Sequence, residues 1–211
     1  FEKKKNKPKF KKAVALRNII KSNSGLGIND NRISLVMGKN CHLVIYPINK
    51  NKEMNVVSII RDKEYDPSKI NYLVDKVTSQ NPNLEKFFKG DLKSWPLYFN
   101  PKILPSTNKK VFYIGDAFNG FLPTLAQGAG QSLESAYEFF NLIKEEKSDI
   151  QDIYFLARSR RAQIVRKRSN LNFFVFHLSS SIMQIIRNFF MKLLIKRKSF
   201  ISFYLGTVYK N

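Results

Sequence analysis

An acidic side chain and two glycines lie where the sequence predicts that a strand gives way to a helix. The apolar run 111–114 predicts a strand that ends near Asp116, and residues 127–130 predict the start of a long helix. Gly128 and Gly130 would let backbone N–H groups at that helix start approach a ligand closely, while Asp116 could accept hydrogen bonds from ligand hydroxyls. An ordinary strand-to-helix turn has a similar composition, so the spacing alone leaves both interpretations open.

The preceding part of the chain predicts a sheet. Short apolar runs with β-branched residues indicate an antiparallel meander of about four strands, and clusters of Asn, Lys and Gly between them favour turns. The predicted strands cover residues 13–20, 33–37, 42–46 and 55–60.

Helical periodicity starts at Asp66, a residue typical of a helix N-cap, with Pro67 at the first helical position. Helices are predicted at 70–77, 83–88, from 127–130 onward, at about 150–168 and at about 172–196.

The helix that starts at 127–130 has apolar residues at helical spacing, so we expect one of its faces to be buried. That face comprises Leu133, Ala136, Tyr137, Phe140 and Ile143.

Composition excludes several classes of protein. The 211 residues carry 37 Lys and Arg against 16 Asp and Glu, a net charge of +21, and 43% of them are hydrophobic, which is enough for a core. A single cysteine, Cys41, excludes a disulfide framework. The only histidines, His42 and His177, are too few and too far apart in sequence to predict a metal site. No run of apolar residues is long enough for a membrane-spanning helix.

The basic side chains are spread along the whole chain, and lysine outnumbers arginine. This pattern favours a solvated basic surface over attraction to anionic lipid. It favours nucleic-acid binding least, because arginine is the preferred base-reading residue. We therefore expect no nucleic-acid partner.

Several stretches resemble one known family, the single-component flavoprotein aromatic hydroxylases, and within it the salicylate hydroxylase-like and 6-hydroxynicotinate monooxygenase-like enzymes. Gly115-Asp116-Ala117, Pro123 and residues 126–130 (AQGAG) resemble the family's second FAD-binding motif. The likeness is collinear over about residues 8–205. Other matching stretches are residues 15–17 (ALR), 42–47 (HLVIYP), 55–57 (NVV) and 95–98 (WPLY).

The resemblance implies an α/β fold with α+β character, namely part of a glutathione-reductase-like FAD-binding domain and an antiparallel-sheet substrate domain, with C-terminal helices. Residues 1–105 would form the substrate-binding sheet with its covering helices, 106–146 the second FAD-binding motif, and 147–211 the C-terminal helices. The family's N-terminal dinucleotide-binding unit has no counterpart, since residues 25–27 lack the third glycine of its Gly-x-Gly-x-x-Gly turn. The chain would then be the C-terminal half of such an enzyme, and we expect it to bind FAD poorly and to be inactive by itself.

The resemblance also implies how FAD is bound. Asp116 would hydrogen-bond the ribityl chain, and Gly115 would let the strand end approach it. Backbone N–H groups of the helix start would point at the flavin edge where negative charge develops on reduction. The residues that supply them are Gln127, Gly128, Ala129 and Gly130.

Near the substrate, Pro123 and Asn119 would lie close to the flavin, and the strands with His42 and Tyr46 would floor the cavity. His42 could equally pack inside the sheet. Asn119 stands where the family usually has His, so an acid/base role there is lost while hydrogen bonding is kept. No side chain of this half is required as a nucleophile.

The implied activity is a cytoplasmic FAD-dependent monooxygenase that hydroxylates a small aromatic substrate with O₂ and NADH or NADPH through a flavin hydroperoxide. Two alternatives stay open. One is a membrane-associated flavin hydroxylase of a quinone precursor, because the apolar helix at 171–198 with its late basic residues either packs on the FAD domain or contacts lipid peripherally. The other is a degenerate, non-catalytic basic module that binds surfaces, suggested by Asn119 and by Ser135 in place of the family's Asp.

Overall fold

A computed structural model describes residues 7–22, 31–146 and 148–209, so the glycine pair at 25 and 27 lies outside the described residues. Strands account for most of the regular structure in the first hundred residues, and helices for the regular structure that follows. The chain divides into two compact units. We call Phe10–Leu97 with Phe174–Phe189 the sheet unit, and the remaining residues the helical unit.

The sheet has five strands in the order β2-β3-β4-β1-β5, and β4 pairs antiparallel with both β3 and β1, as β2 does with β3. All four predicted strands are present. The predicted meander is wrong for the first strand, which pairs with β4 because the connection to β2 is longer than a hairpin turn. The strands are β1 (Lys9–Lys21), β2 (Ser34–Gly38), β3 (Cys41–Ile48), β4 (Glu53–Arg61) and β5 (Lys93–Phe99).

β5 is not predicted from the sequence. Pro96 interrupts its pattern, and proline is tolerated there because β5 lies at the edge of the sheet.

One face of the sheet carries the core of the sheet unit. Helix α1 (Ile70–Thr78) and a 3₁₀ helix (Pro82–Phe88) supply the apolar side chains that pack with it. As predicted, Asp66 caps the entry to this region, since its Oδ1 accepts a hydrogen bond from the Ser68 N–H at 2.9 Å. The buried core includes Val14, Leu16, Leu43, Ile45, Val56, Ile60, Leu73, Val77, Phe87 and Phe88.

Helices make up the regular structure that follows the sheet. The predicted break between residues 168 and 172 is absent, because nothing in that stretch is a helix breaker and one helix runs through it. Among the described residues, no helix is long and apolar enough to cross a bilayer. The helices are α2 (Asp116–Asn119), α3 (Gly128–Lys144), α4 (Ile150–Phe176), α5 (Ser181–Leu194) and α6 (Lys198–Tyr209).

The predicted buried face of α3 is wrong. Its large apolar side chains are 50–73% exposed, and Ala136 is exposed as well. The buried residues of α3 are instead Gln131 and Ser135. Periodicity identifies an apolar stripe but not what covers it, and within the described residues nothing covers this one. The exposed side chains are Leu133, Tyr137, Phe140 and Ile143.

The predicted strand at residues 111–114 is also absent. An apolar run becomes a strand only beside a hydrogen-bonding partner, and no described strand lies next to this one. Val111 and Ile114 are consequently exposed.

The second face of the sheet is closed at one end and open at the other. Residues that pair across antiparallel strands share a face, which places three successive rows of side chains on this side, with the row of Lys21, Glu53 and Ile48 after them. The first row is buried, whereas Arg17 and Ile19 in the other two are exposed. The rows are Ala15–Ile59–His42, Arg17–Val57–Val44 and Ile19–Asn55–Tyr46.

Two histidines of the sheet unit meet at the closed end. His42 Nδ1 lies 3.1 Å from His177 Nε2, which is also 3.2 Å from the Ile59 carbonyl oxygen. A carbonyl oxygen only accepts, so His177 Nε2 carries the proton and His42 Nδ1 is the second acceptor facing it. The His42 proton then sits on Nε2, which is buried and has no hydrogen-bond partner among the described residues, and the His42 ring packs edge-on against Phe176.

This environment keeps His42 neutral. Burial, helped by the neighbouring His177, lowers the pKa of His42 to about 3. In the unfolded chain the same imidazole would take up a proton near pH 6.5. Since the unfolded state then binds the extra proton, stability falls as the pH drops below about 6.5.

We expect the free energy of unfolding to decrease by about 2 kcal/mol between pH 7 and pH 5 on account of His42. The variant His42→Asn keeps an acceptor for His177 but does not titrate, so its decrease should be smaller by about that amount. Urea unfolding at both pH values measures the difference, and equal pH slopes in the two proteins would contradict the assignment.

Candidate functional site

Gly115 fixes the turn ahead of α2 in the helical unit. Its φ of +61° lies in the left-handed region, and a Cβ on it would come within 2.6 Å of Ser132 Oγ. The Gly115 backbone therefore lies directly against the first turns of α3. The next residue, Asp116, opens α2 with its side chain exposed.

The start of α3 is open. The first intrahelical hydrogen bond runs from the Gln131 N–H to the Gln127 carbonyl, so the N–H groups of residues 128–130 have no partner within the helix. A Cβ on Gly128 would meet no described atom within 4 Å, and one on Gly130 would meet only Gln127 Oε1 at 3.9 Å. Packing does not explain these glycines, whereas close approach of a ligand to the helix start does.

Polar side chains of α4 hold the loop that leads into α3. Thr124 Oγ1 donates to the Ser169 carbonyl at 2.8 Å, and Asn172 Nδ2 donates to the Thr124 carbonyl at 3.1 Å. Ser169 Oγ in turn donates to the Leu122 carbonyl at 3.4 Å. Because the loop is irregular, these bonds supply the partners that a helix or sheet would otherwise give its backbone.

The segment before Gly115 is held in the same way from the start of α4. Gln151 Nε2 donates to the carbonyls of Asn108 and Val111 at 2.9 and 3.1 Å, and the Tyr154 hydroxyl donates to the Tyr113 carbonyl at 3.0 Å. Residues 108–113 thus keep a defined path without belonging to a sheet.

Arg158 ties α4 to α3. Its guanidinium is buried, donates to Gln131 Oε1 at 2.8 Å, and lies 3.4 and 3.3 Å from the carboxylates of Glu134 and Glu138. Arg161 adds a second contact to Glu134 at 3.3 Å. These charge-assisted bonds orient the polar side of α3 toward α4 and fix the direction in which its N-terminus points.

Asn119 is buried at the end of α2. Its side-chain oxygen accepts a hydrogen bond from Arg166, which also donates to the Pro101 carbonyl at 3.2 Å. The Asn119 Nδ2 is buried, and no residue that the structure describes accepts from it. Burial lowers the pKa of the Arg166 guanidinium. Pro123 lies in the following loop with its ring exposed.

The structure thus places Gly115 and Asp116 beside the helix start at 127–130 within the helical unit. In the sheet unit, Tyr46 lies on the open part of the second face and His42 at its closed end.

The α4 side chains that hold the site are not predicted from the sequence. Their signal is a stripe at helical spacing in which polar residues alternate with apolar ones. The stripe comprises Gln151, Tyr154, Arg158, Ala162, Val165, Ser169 and Asn172.

Gly115→Ala should lower the free energy of unfolding by at least about 1 kcal/mol, because alanine is strained at positive φ and its Cβ collides with Ser132. The same change made in a Ser132→Ala background should be less destabilising, since the colliding oxygen is gone. Gly120→Ala is the matched control, with φ of −69° and no described atom within 4 Å of the new Cβ. Urea unfolding measures the unchanged chain, the two single variants Gly115→Ala and Ser132→Ala, the double variant and the control. Strictly additive effects of the two substitutions would contradict the contact.

Comparison with known families gives one match that covers nearly the whole chain. The family model described as squalene epoxidase matches residues 8–208. Among characterised relatives, the FAD-dependent monooxygenase cfoG of Aspergillus candidus is 30% identical over 61% of this chain and 33% of its own length. The salicylate hydroxylase of Pseudomonas putida is 26% identical over 54% of this chain and 29% of its own length.

Solved structures share the fold. Klebsiella pneumoniae HpxO, complexed with FAD and uric acid, superposes with a TM-score of 0.76 at 13% identity, over 96% of this chain and 53% of the other. A salicylate hydroxylase substrate complex gives a TM-score of 0.65 at 19% identity, over 97% of this chain and 58% of the other.

The chain spans about a third of the length of these curated relatives and about half of the solved structures. The two alternative functions find no support among them. The predicted resemblance to flavoprotein hydroxylases and the predicted fold class are confirmed, and the chain belongs to the squalene epoxidase family of FAD-dependent monooxygenases.

Proposed function

We propose that this chain is the substrate-binding and flavin-edge half of an FAD-dependent monooxygenase that hydroxylates a small aromatic substrate with O₂ and NADH or NADPH. The observation that carries the proposal is the open, glycine-lined start of α3 beside Gly115 and Asp116, in a chain of this family. The relatives support the ligand class, since one is a salicylate hydroxylase and another was solved with FAD and uric acid.

The residues at the helix start fit an FAD. The exposed Asp116 carboxylate would accept hydrogen bonds from ribityl hydroxyls, and the N–H groups of residues 128–130 would donate to the flavin edge. When bound, FAD supplies the redox chemistry and the activation of O₂. The positive end of α3 stabilises negative charge at the edge that it faces.

Asn119 would act by hydrogen bonding alone. Arg166 holds its oxygen, so its orientation is fixed and the spare Nδ2–H is available to a flavin or substrate oxygen. An amide cannot exchange a proton near neutral pH, so Asn119 would orient rather than catalyse. Pro123, exposed in the same loop, would limit the space beside the ring.

The second face of the sheet would hold the substrate. Tyr46 lies directly opposite Asn55 on its open part, where a ring can rest on apolar side chains. His42 is fully buried against Phe176 and His177. This burial supports the alternative that it packs in the sheet, at the closed end of the second face.

The exposed face of α3 supports our assignment of residues 106–146 to the FAD-binding domain, with 1–105 as the substrate domain and 147–211 as the C-terminal helices. Leu133, Tyr137 and Phe140 are exposed here, as is the unpaired run at 111–114. A dinucleotide-binding unit would cover the exposed apolar face of α3 and provide a strand that pairs with residues 111–114. Relatives about twice as long as this chain have room for such a unit.

Gly128→Leu separates ligand binding from folding. The Cβ of the new side chain would meet no described atom within 4 Å, so the free energy of unfolding should change by no more than about 0.5 kcal/mol. FAD affinity in the complete protein, with this chain joined to a dinucleotide-binding half, should fall at least about tenfold because the side chain occupies the space above the helix start. Quenching of flavin fluorescence measures the affinity.

Gly120→Leu serves as the control for that experiment, because it adds the same side chain at another glycine with open space around it. A complete protein that binds no FAD, or a Gly128→Leu variant with unchanged FAD affinity, would contradict the proposed site.

We also propose that α5 contacts the surface of an anionic membrane. Its large apolar side chains are 44–71% exposed, whereas its single arginine, Arg187, is buried and donates to the Val175 carbonyl at 3.2 Å. Most apolar residues of α5 thus face outward, whereas Arg187 faces inward. Exposed basic residues lie in the last turn of the helix and directly after it. An apolar face and adjacent basic side chains are the two features that bind an anionic lipid surface. The basic residues are Lys192, Lys196, Arg197 and Lys198.

The chain should co-sediment with vesicles of phosphatidylcholine and phosphatidylserine, and less so as salt is raised. The double variant Ile185→Glu, Phe189→Glu should weaken this binding at least about tenfold, because two apolar contacts are lost and two negative charges are introduced. Leu156→Glu, at an exposed position of α4, is the control and should have a smaller effect. Equal sedimentation of the double variant and the unchanged chain would overturn this second proposal.

A further inference from the structure

The open part of the second sheet face contains a cation, Arg17, that has no counter-charge among the described residues. Arg17 on β1 is exposed, and its Nε donates to Asn55 Oδ1 at 2.7 Å. Arg17 makes no ion pair with any residue that the structure describes. Its two terminal nitrogens therefore remain free to donate, while the Nε contact fixes the plane in which they lie.

Asn55 is the residue that sets this geometry. It is fully buried, its oxygen is used by Arg17, and its Nδ2 has no partner among the described residues. A buried amide left with an unused donor is a costly arrangement unless another group completes it. Asn55 lies on β4 between Ile19 of β1 and Tyr46 of β3, so that donor belongs to the same face as the guanidinium.

The surroundings of Arg17 are apolar. Val57 and Val44 follow it across the sheet, and Leu35 on β2 pairs with Val44 to complete the row. Leu35 and Ile19 are 39% and 49% exposed. A planar ring can therefore lie on aliphatic side chains within reach of a guanidinium, which is the pairing that an aromatic anion requires.

The nearest carboxylate on this face of β4 does not neutralise Arg17. Glu53 precedes Asn55 by two residues and accepts a hydrogen bond from Asn49 instead. Glu53 lies opposite Lys21, two rows along the sheet from the row that contains Arg17. No described acidic side chain thus competes for the guanidinium.

We infer that Arg17, positioned by Asn55, is a carboxylate-binding residue that makes the sheet select an aromatic acid over its neutral analogues. The inference rests on the proposed function and specifies its substrate class. The two terminal nitrogens of Arg17 would bind the two carboxylate oxygens, and the ring would lie over Val57, Val44 and Leu35. A bidentate contact of this kind gives both affinity and orientation.

Calorimetric titration of the full chain with salicylate and with salicylamide tests this inference, because the two probes have nearly the same shape and differ in charge. We expect salicylate to bind at least about tenfold more tightly. Arg17→Met should bind both probes equally, and Arg17→Lys should keep only part of the preference, because a lysine cannot make the bidentate contact. Arg160→Met, which removes an exposed arginine from α4, should leave the preference unchanged.

A second variant keeps the test independent of any folding defect in the first. Asn55→Asp places a carboxylate beside the Arg17 guanidinium, so it should occupy the cation and remove the preference for salicylate without removing Arg17. Circular dichroism confirms that each variant folds. A preference for salicylate that survives in both Arg17→Met and Asn55→Asp, or none in the unchanged chain, would overturn the inference.

FAD binding by the complete protein distinguishes failure of this inference from failure of the proposed function. If Arg17→Met binds FAD normally and still prefers salicylate, the carboxylate site is wrong and the flavoprotein function stands. If the complete protein binds no FAD while the chain still discriminates through Arg17, the anion site stands and the flavoprotein function is wrong.

Discussion

An irregular stretch of backbone must be held in place, and most features of the helical unit follow from that requirement. Between β5 and α3 the chain forms little regular structure, so its carbonyl groups need partners from elsewhere. One helix, α4, supplies them through Gln151, Tyr154, Ser169 and Asn172. The same face of α4 carries Arg158, which orients α3. The left-handed turn at Gly115 and the open helix start depend on this polar packing together with the aromatic contacts among Phe112, Phe118, Phe139 and Tyr154.

Much of the fold could be predicted from local patterns. The β-branched runs of the sheet and the Asp66 cap are encoded by a few neighbouring residues, and the structure contains both. Two failures share one cause. The apolar face of α3 and the run at 111–114 are correctly identified as apolar, but burial and pairing depend on partners that local sequence does not specify. The position of β1 in the sheet could not be predicted for a related reason, because a long connection to the next strand does not determine which strand β1 pairs with.

The candidate site divides along the same line. Gly115, Asp116 and the glycines of α3 lie within 16 residues of one another and could be found in the sequence. Arg158 and Arg166 could not, because a helix whose buried stripe mixes charge with apolar residues has no clear hydrophobic side. Arg17 and Asn55 are distant in sequence and meet only through strand pairing, so their contact emerges from the register of β1 on β4.

The uncovered face of α3 also bears on how long the chain survives in a cell. Chaperones and proteases recognise exposed apolar side chains, and Leu133, Tyr137 and Phe140 present a contiguous row of them on one regular helix. Any unit that covers this row would shield the chain from quality control as well as complete a binding site. Covering this row would therefore lengthen the lifetime of the protein, in addition to any effect on its stability.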